Sequence, residues 1–204
     1  MKLNTVIAYT LQGLLLVLFV WELIQKQYLY AIVGALAVIV SLLPAWFARN
    51  YRITLPWIVE SLIAFGLLLH VSGLTFRWYV TFPWWDIAVH LIGTGIIALL
   101  GFLFIFALYY SERIKVTLRM MGFFAFIFAI AIGALWEIAE FTTDKTVGSK
   151  SQPDLDDTMY DLINDTIAAA IVSLLGCWYV KHQPENKLRT HVGHMVPWMR
   201  ERHS

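Results

Sequence analysis

Six long apolar segments limit the folds that are open to this sequence. A helix needs roughly 20 residues to cross the hydrocarbon core of a bilayer, and each segment is close to that length or longer. Charged residues, polar residues or prolines interrupt the chain between them. The sequence therefore predicts an all-α polytopic membrane protein, a bundle of six transmembrane helices near residues 5–25, 29–48, 55–75, 84–110, 117–142 and 157–180.

Composition supports this fold class and excludes others. The 204 residues are 59% hydrophobic and only 14% charged, whereas an ordinary soluble domain carries about 25% charged residues. The formal net charge of +1 argues against a nucleic-acid partner, and the single cysteine, Cys177, excludes an internal disulfide framework. The apolar run from Thr5 to Val20 continues into Trp21 and Glu22 without a small-residue cleavage pattern, so we expect a retained span.

The distribution of basic residues predicts the orientation. With six crossings, 11 of the 15 lysines and arginines fall on one side of the membrane. Because cytoplasmic loops carry the lysine and arginine excess, we expect both termini in the cytoplasm of an inner-membrane protein. Residues 1–180 would form the membrane domain, and residues 181–204 a basic, histidine-containing cytoplasmic tail. The four residues on the outer side are Lys26, Arg77, Lys145 and Lys150.

Acidic residues are concentrated near the end of the chain, at 136–165, where the sequence holds eight of them. On a helix, the spacing of Glu137, Glu140 and Asp144 places them on one stripe. A second stripe follows on the next helix and is formed by Asp157, Asp161 and Asp165. Ionisable groups inside membrane spans are rare and commonly functional, so the sequence predicts a site here.

The predicted topology brings further polar residues to the same depth. Asp86 and His90 would lie in the outer turns of the fourth span, and His70 near the outer end of the third. The fifth span would end with the first acidic stripe, and the sixth span would begin with the second. Small residues on these last two spans, such as Ala129 and Ala169, would let the helices approach closely. We therefore expect one shared site near the extracytoplasmic face.

Mutual repulsion of the carboxylates indicates the chemistry of this site. Either some of them are protonated, or a cation neutralises them. Oxygen ligands with an imidazole suit Mg, Mn or Ca, and also admit Zn or Fe. Asp86 or Asp165 would serve as the catalytic base or as a partner of a ligand. The predicted metal ligands are His90, Glu137, Glu140, Asp157 and Asp161, and the predicted outer partners of these ligands are His70, Asp144 and Asn164.

Several of these residues also have a simpler interpretation. Asp86 follows Pro83 in a first helical turn, where an acid favours the helix dipole. Asp154, Asp156 and Asp157 suit a helix N-terminus, as caps of backbone N–H groups or as acids of the first turn. In the same simpler interpretation, Asp144 is solvated beyond the end of a helix, and His70 is a packing residue. The same holds for the histidines of the tail, which suit a polar segment lying against anionic headgroups.

Three segments of the sequence resemble a known family. WWDIAVH at 84–90, ALWEIAEF at 134–141 and DTMYDLIND at 157–165 are similar to the YjdF-like group of small bacterial inner-membrane proteins. A looser similarity of layout links the chain to VanZ-like proteins. The resemblance implies a polytopic architecture and directs attention to these acids. It implies no particular reaction.

Three functions remain open from the residues. The first is a metal-dependent membrane hydrolase or phosphotransferase that acts on a lipid or a lipid phosphate, with membrane lipids as its partners. The second is a transporter of an ion or a small solute, with the acids as its binding site. The third is a structural or regulatory membrane protein whose polar cluster joins helices.

Overall fold

A computed structural model describes residues 3–196, with side chains from residue 6 onward. Lys2 and residues 197–204, the last part of the predicted tail, lie outside the described residues. Within 3–196 the chain forms eight helices and no strand. In chain order they are α1 (Leu3–Ile24), α2 (Tyr28–Tyr51), α3 (Trp57–Thr75), α4 (Trp78–Thr81), α5 (Trp85–Tyr110), α6 (Leu118–Val147), α7 (Leu155–His182) and α8 (Glu185–Met195).

Six of these helices are long and apolar enough to cross a membrane, namely α1, α2, α3, α5, α6 and α7. Their surfaces explain why, since many of their large apolar side chains face outward: Phe123 is 67% exposed and Leu174 is 70% exposed. Such surfaces are stable in contact with lipid rather than water. The predicted fold class is confirmed, while the orientation of the termini and the boundary between membrane domain and tail stay predictions.

The first of two compact units holds α1 to α4 and the end of α8. Leu15, Ala37 and Val71 join α1, α2 and α3 in its apolar core. The side chain of Gln12 donates a hydrogen bond to the carbonyl of Ser41 at 2.8 Å, which links α1 to α2. These contacts pack the three long helices of this unit against one another.

The second unit runs from Asp86 to Leu188 and holds α5, α6 and α7. At its centre Ala98, Ala129 and Ala169 meet, one from each helix, all fully buried. Alanine side chains allow close helix approach, and van der Waals contact drives association in lipid. This close approach brings the polar residues of the three helices together, one or two turns away along each helix.

The small residue at the centre of this unit gives a prediction. We expect Ala129→Leu to destabilise the protein by about 1–3 kcal/mol, because three helices leave no room for three more carbons. Ala131→Leu on the same helix is the matched control, since Ala131 is exposed. Thermal unfolding in detergent measures both variants. Equal stability of the two would contradict the packing described here.

Candidate metal centre

His90 is the residue around which the site of the second unit is built. It lies on α5, one helical turn after Asp86, so that both side chains project from the same face of the helix. The imidazole is buried, with 8% of the residue exposed, whereas the side chain of Asp86 keeps 30% exposure. The centre is therefore closed around His90 and more open at Asp86.

Three carboxylates surround one ring nitrogen of His90. Its Nε2 lies 3.7 Å from an oxygen of Asp86, 3.8 Å from an oxygen of Glu137 and 3.8 Å from an oxygen of Asp161. The three acids come from three different helices, α5, α6 and α7. Asp86, His90 and Asp161 form a group whose ligand atoms lie within 4.8 Å of one another and could hold a metal ion.

These separations suit a shared cation better than direct bonds. Hydrogen bonds from a ring N–H to oxygen are about 2.7–3.2 Å long, and none of the three distances is that short. Two ligands bound about 2.1 Å from one ion are at most ~4.2 Å apart. The nitrogen–oxygen distances fall below this limit, and the atoms of Asp86, His90 and Asp161 are close enough together that they could hold a single ion.

Three buried oxygens of the cluster have no hydrogen-bond partner. They are Oε1 of Glu137, Oδ2 of Asp161 and Oδ2 of Asp165, on residues that are only 4%, 3% and 1% exposed. A carboxylate oxygen buried without a partner is costly. Among the described residues, moreover, no lysine or arginine forms an ion pair with the cluster.

The other ring nitrogen of His90 has a different partner. Nδ1 lies 3.1 Å from Oδ1 of Asp165, and the hydroxyl of Thr94 donates a hydrogen bond to the same oxygen at 2.5 Å. Asp165 is 1% exposed and Thr94 4% exposed. Thr94 was missed by the sequence analysis, although its place one turn after His90 on α5 is a signal that could have found it.

A loop between α6 and α7 reaches the centre through Gln152. Asp144 accepts hydrogen bonds from the Ser149 hydroxyl at 2.5 Å and from the backbone N–H groups of Ser151 and Gln152 at 2.9 Å. The side-chain amide of Gln152 in turn donates to Oε2 of Glu137 at 3.4 Å. Asp144 therefore organises the loop, and Gln152, also missed from the sequence, contacts a candidate ligand.

The remaining predicted site residues differ in their surroundings. Glu140 and Asp157 are half-buried and lie within electrostatic range of Asp86 and His90. Asn164 is half-buried, and within the described chain its side chain forms no hydrogen bond. The ligand and partner roles of these three residues stay predictions.

Two residues with simpler interpretations have identified partners. His70 belongs to the first unit, where its Nδ1 lies 2.7 Å from the hydroxyl of Tyr79, and its role as a partner of a ligand stays a prediction. Asp154 caps the N-terminus of α7 by accepting from the N–H of Asp157 at 3.0 Å, as its alternative interpretation states. Asp156 lies in the first turn of the same helix.

The loop gives a second prediction. Asp144→Ala removes the acceptor for three loop donors, and a hydrogen bond to a charged group contributes about 1.5–3 kcal/mol. We therefore expect trypsin to cleave after Lys150 at least ~5-fold faster in the purified protein. Asp156→Ala, at an exposed acid, is the control and should leave the rate unchanged. Unchanged cleavage of both variants would show that Asp144 does not hold the loop.

Comparison with known proteins agrees with the membrane architecture. An uncharacterized protein of Thermotoga maritima is 33% identical over 126 residues, which cover 61% of this chain and 60% of the relative, so the chain spans about three fifths of that protein's length. No solved structure matches the chain. A family model described as "Predicted membrane protein (DUF2238)" matches residues 7–182. That range contains every residue of the centre and the six long helices except the first residues of α1, and the chain belongs to this family of membrane proteins.

Proposed function

We propose that this protein is a membrane enzyme that binds a divalent cation between α5, α6 and α7 and uses it to hydrolyse a lipid or a lipid phosphate. The ligands would be Nε2 of His90 and one oxygen each of Glu137 and Asp161, and Asp86 would lie beside the ion at its open position. The resemblance to YjdF-like and VanZ-like proteins belongs to the same proposal, since it directs attention to these acids.

One observation carries the proposal. Nε2 of His90 is nearly equidistant from three carboxylate oxygens, at 3.7, 3.8 and 3.8 Å. A protonated Nε2 would be drawn to one of these oxygens at about 2.7–2.9 Å, because charge-assisted hydrogen bonds are short. A cation in the middle instead attracts all the ligands at once and leaves them separated from each other. The near-equal distances therefore favour a metal ion.

The donor set limits which ion is suitable. One imidazole with carboxylates suits Zn, Fe or Mn, and a mainly oxygen site also accepts Mg. Catalytic zinc sites commonly keep three protein ligands and one open position. In this centre the exposed side lies at Asp86, which gives water or a substrate oxygen a route to the ion.

The remaining chemistry follows from this open side. A bound divalent ion would lower the pKa of a coordinated water and polarise the ester oxygen of the substrate. Asp86, as the most exposed carboxylate of the centre, is placed to accept the proton of the attacking water. Glu140 and Asp157 lie within electrostatic range of Asp86 and His90. They would contact either a water molecule bound to the ion or the substrate. A lipid substrate suits a site within membrane-spanning helices.

Metal binding is the first test. We expect the purified protein, with the tail histidines replaced, to bind a divalent ion at a ratio near one per chain. His90→Ala and Glu137→Ala should each lower the affinity at least ~100-fold, because each removes a ligand of a buried ion. Asp156→Ala is the control, since it alters an exposed acid outside the centre. Elemental analysis and titration calorimetry measure these values, and metal-free protein under supplemented conditions would contradict the proposal.

Turnover is the second test. We expect the metal-loaded protein, reconstituted in vesicles of bacterial lipid, to release fatty acid or inorganic phosphate, and Asp86→Asn to lower the rate ~100-fold or more while metal remains bound. Ion flux across the vesicle membrane without lipid turnover would instead indicate a transporter. Asp156→Asn serves as the matched control, because it alters an exposed acid outside the centre.

A further inference from the structure

We infer that Asp165 is a positioning residue of the metal centre: it holds His90 in the tautomer that carries its proton on Nδ1, so that Nε2 is free to bind the ion. Thr94 and Gly133 form the socket that keeps Asp165 in place. The inference rests on the proposed metal centre and assigns Asp165 a role other than that of a base acting on the substrate.

The hydrogen bond between His90 and Asp165 fixes the tautomer. A neutral imidazole has one N–H and one unprotonated nitrogen, and an ionised carboxylate only accepts hydrogen bonds. Because Oδ1 of Asp165 lies 3.1 Å from Nδ1, a neutral ring that keeps this hydrogen bond carries its proton on Nδ1 and donates it to Asp165. Nε2 is then the nitrogen that binds the ion, on the side of Asp86, Glu137 and Asp161. Metal-binding histidines commonly use this arrangement, in which the second ring nitrogen donates to a carboxylate.

Thr94 fixes the carboxylate itself. Its hydroxyl donates to the same oxygen of Asp165 that accepts from His90. His90 and Thr94 are one turn apart on α5, so two side chains of one helix hold a single oxygen on α7. The oxygen therefore has a defined position relative to α5, and the ring of His90 cannot rotate without losing the bond.

Gly133 provides the space for the carboxylate on the third side. A side chain at this position of α6 would overlap with Oδ2 of Asp165. Asp165 is 1% exposed, so it has no other space to occupy. Three helices thus converge on this carboxylate: α5 through two hydrogen bonds, α6 through a residue without a side chain, and α7 through Asp165 itself.

The position of Asp165 also separates it from the reaction side. It follows Asp161 by one turn on α7, and the exposed residue of the centre, Asp86, lies on the Nε2 side of the imidazole. A substrate that enters past Asp86 therefore meets the ligands before it meets Asp165. This order supports a positioning role.

Two substitutions of Asp165 test the inference. Asp165→Leu removes the acceptor and the charge, and we expect an affinity for Mn²⁺ or Zn²⁺ about 100-fold below that of the natural protein. Asp165→Asn keeps an acceptor oxygen and loses only the charge, so we expect a loss of about 10-fold. Both values lie within the range known for outer partners of metal ligands. Asp156→Asn is the control and should bind the ion normally.

Nitrogen NMR of the histidine side chains gives the readout that a merely structural role would not change. We expect His90 of the metal-free natural protein, at a pH high enough to make the ring neutral, to carry its remaining proton on Nδ1, and Asp165→Leu to shift the population toward Nε2. Asp161→Asn should lower the metal affinity but leave the tautomer unchanged, because Asp161 faces the other nitrogen. A tautomer that is the same in Asp165→Leu as in the natural protein would overturn the inference.

Thr94 supplies a second route if Asp165→Leu fails to fold. Thr94→Val should lower the affinity for the ion ~3- to 10-fold through loss of one hydrogen bond, while Thr94→Ser, which keeps the hydroxyl, restores it. If Thr94→Val and Asp165→Asn both bind the ion as tightly as the natural protein, Asp165 has no positioning role. If the natural protein itself binds no ion, the proposed metal centre fails, and the two results are therefore distinguishable.

Discussion

Among the described residues, a buried group of carboxylates has no lysine or arginine as its partner, and the second unit depends on this constraint. Within the described residues, Glu137, Asp161 and Asp165 are almost fully buried, and His90 is the one cationic type of side chain that pairs with them. Burial of unpaired negative charge in an apolar environment is costly. A protein that retains such a group therefore needs a cation or shared protons, and the geometry around Nε2 of His90 favours the cation.

Helix packing and site chemistry are linked in this unit. The fully buried alanines of α5, α6 and α7 bring the helix axes close together. Gly133, one turn after Ala129 on α6, is a further small residue, and it lies against Asp165. The same small residues that permit association in lipid also set the distances between the ligands. A change in helix spacing would therefore alter the metal centre as well as stability.

Sequence reasoning predicted the fold class and much of the site, because both depend on periodic features. Apolar length predicts spans, and i, i+4 spacing with alternating topology places His90 and the acidic stripes at one depth. The sequence could not show the role of Gln152, since glutamine is common in such segments and acts here through a contact with a residue of the preceding helix. The hydrogen bonds of Asp144 could not be predicted from the sequence either, because its partners belong to an irregular loop without a periodic pattern. Thr94 did have a signal, its place one turn after His90 on α5.

The position of a bound metal is the most direct test of the account. Anomalous diffraction from crystals of the protein soaked with Mn²⁺ locates the ion without reference to any assumed function. The account predicts one strong peak about 2.0–2.4 Å from Nε2 of His90, between the oxygens of Asp86, Glu137 and Asp161. A peak confined to the histidines of the tail, or none between α5, α6 and α7, would contradict it.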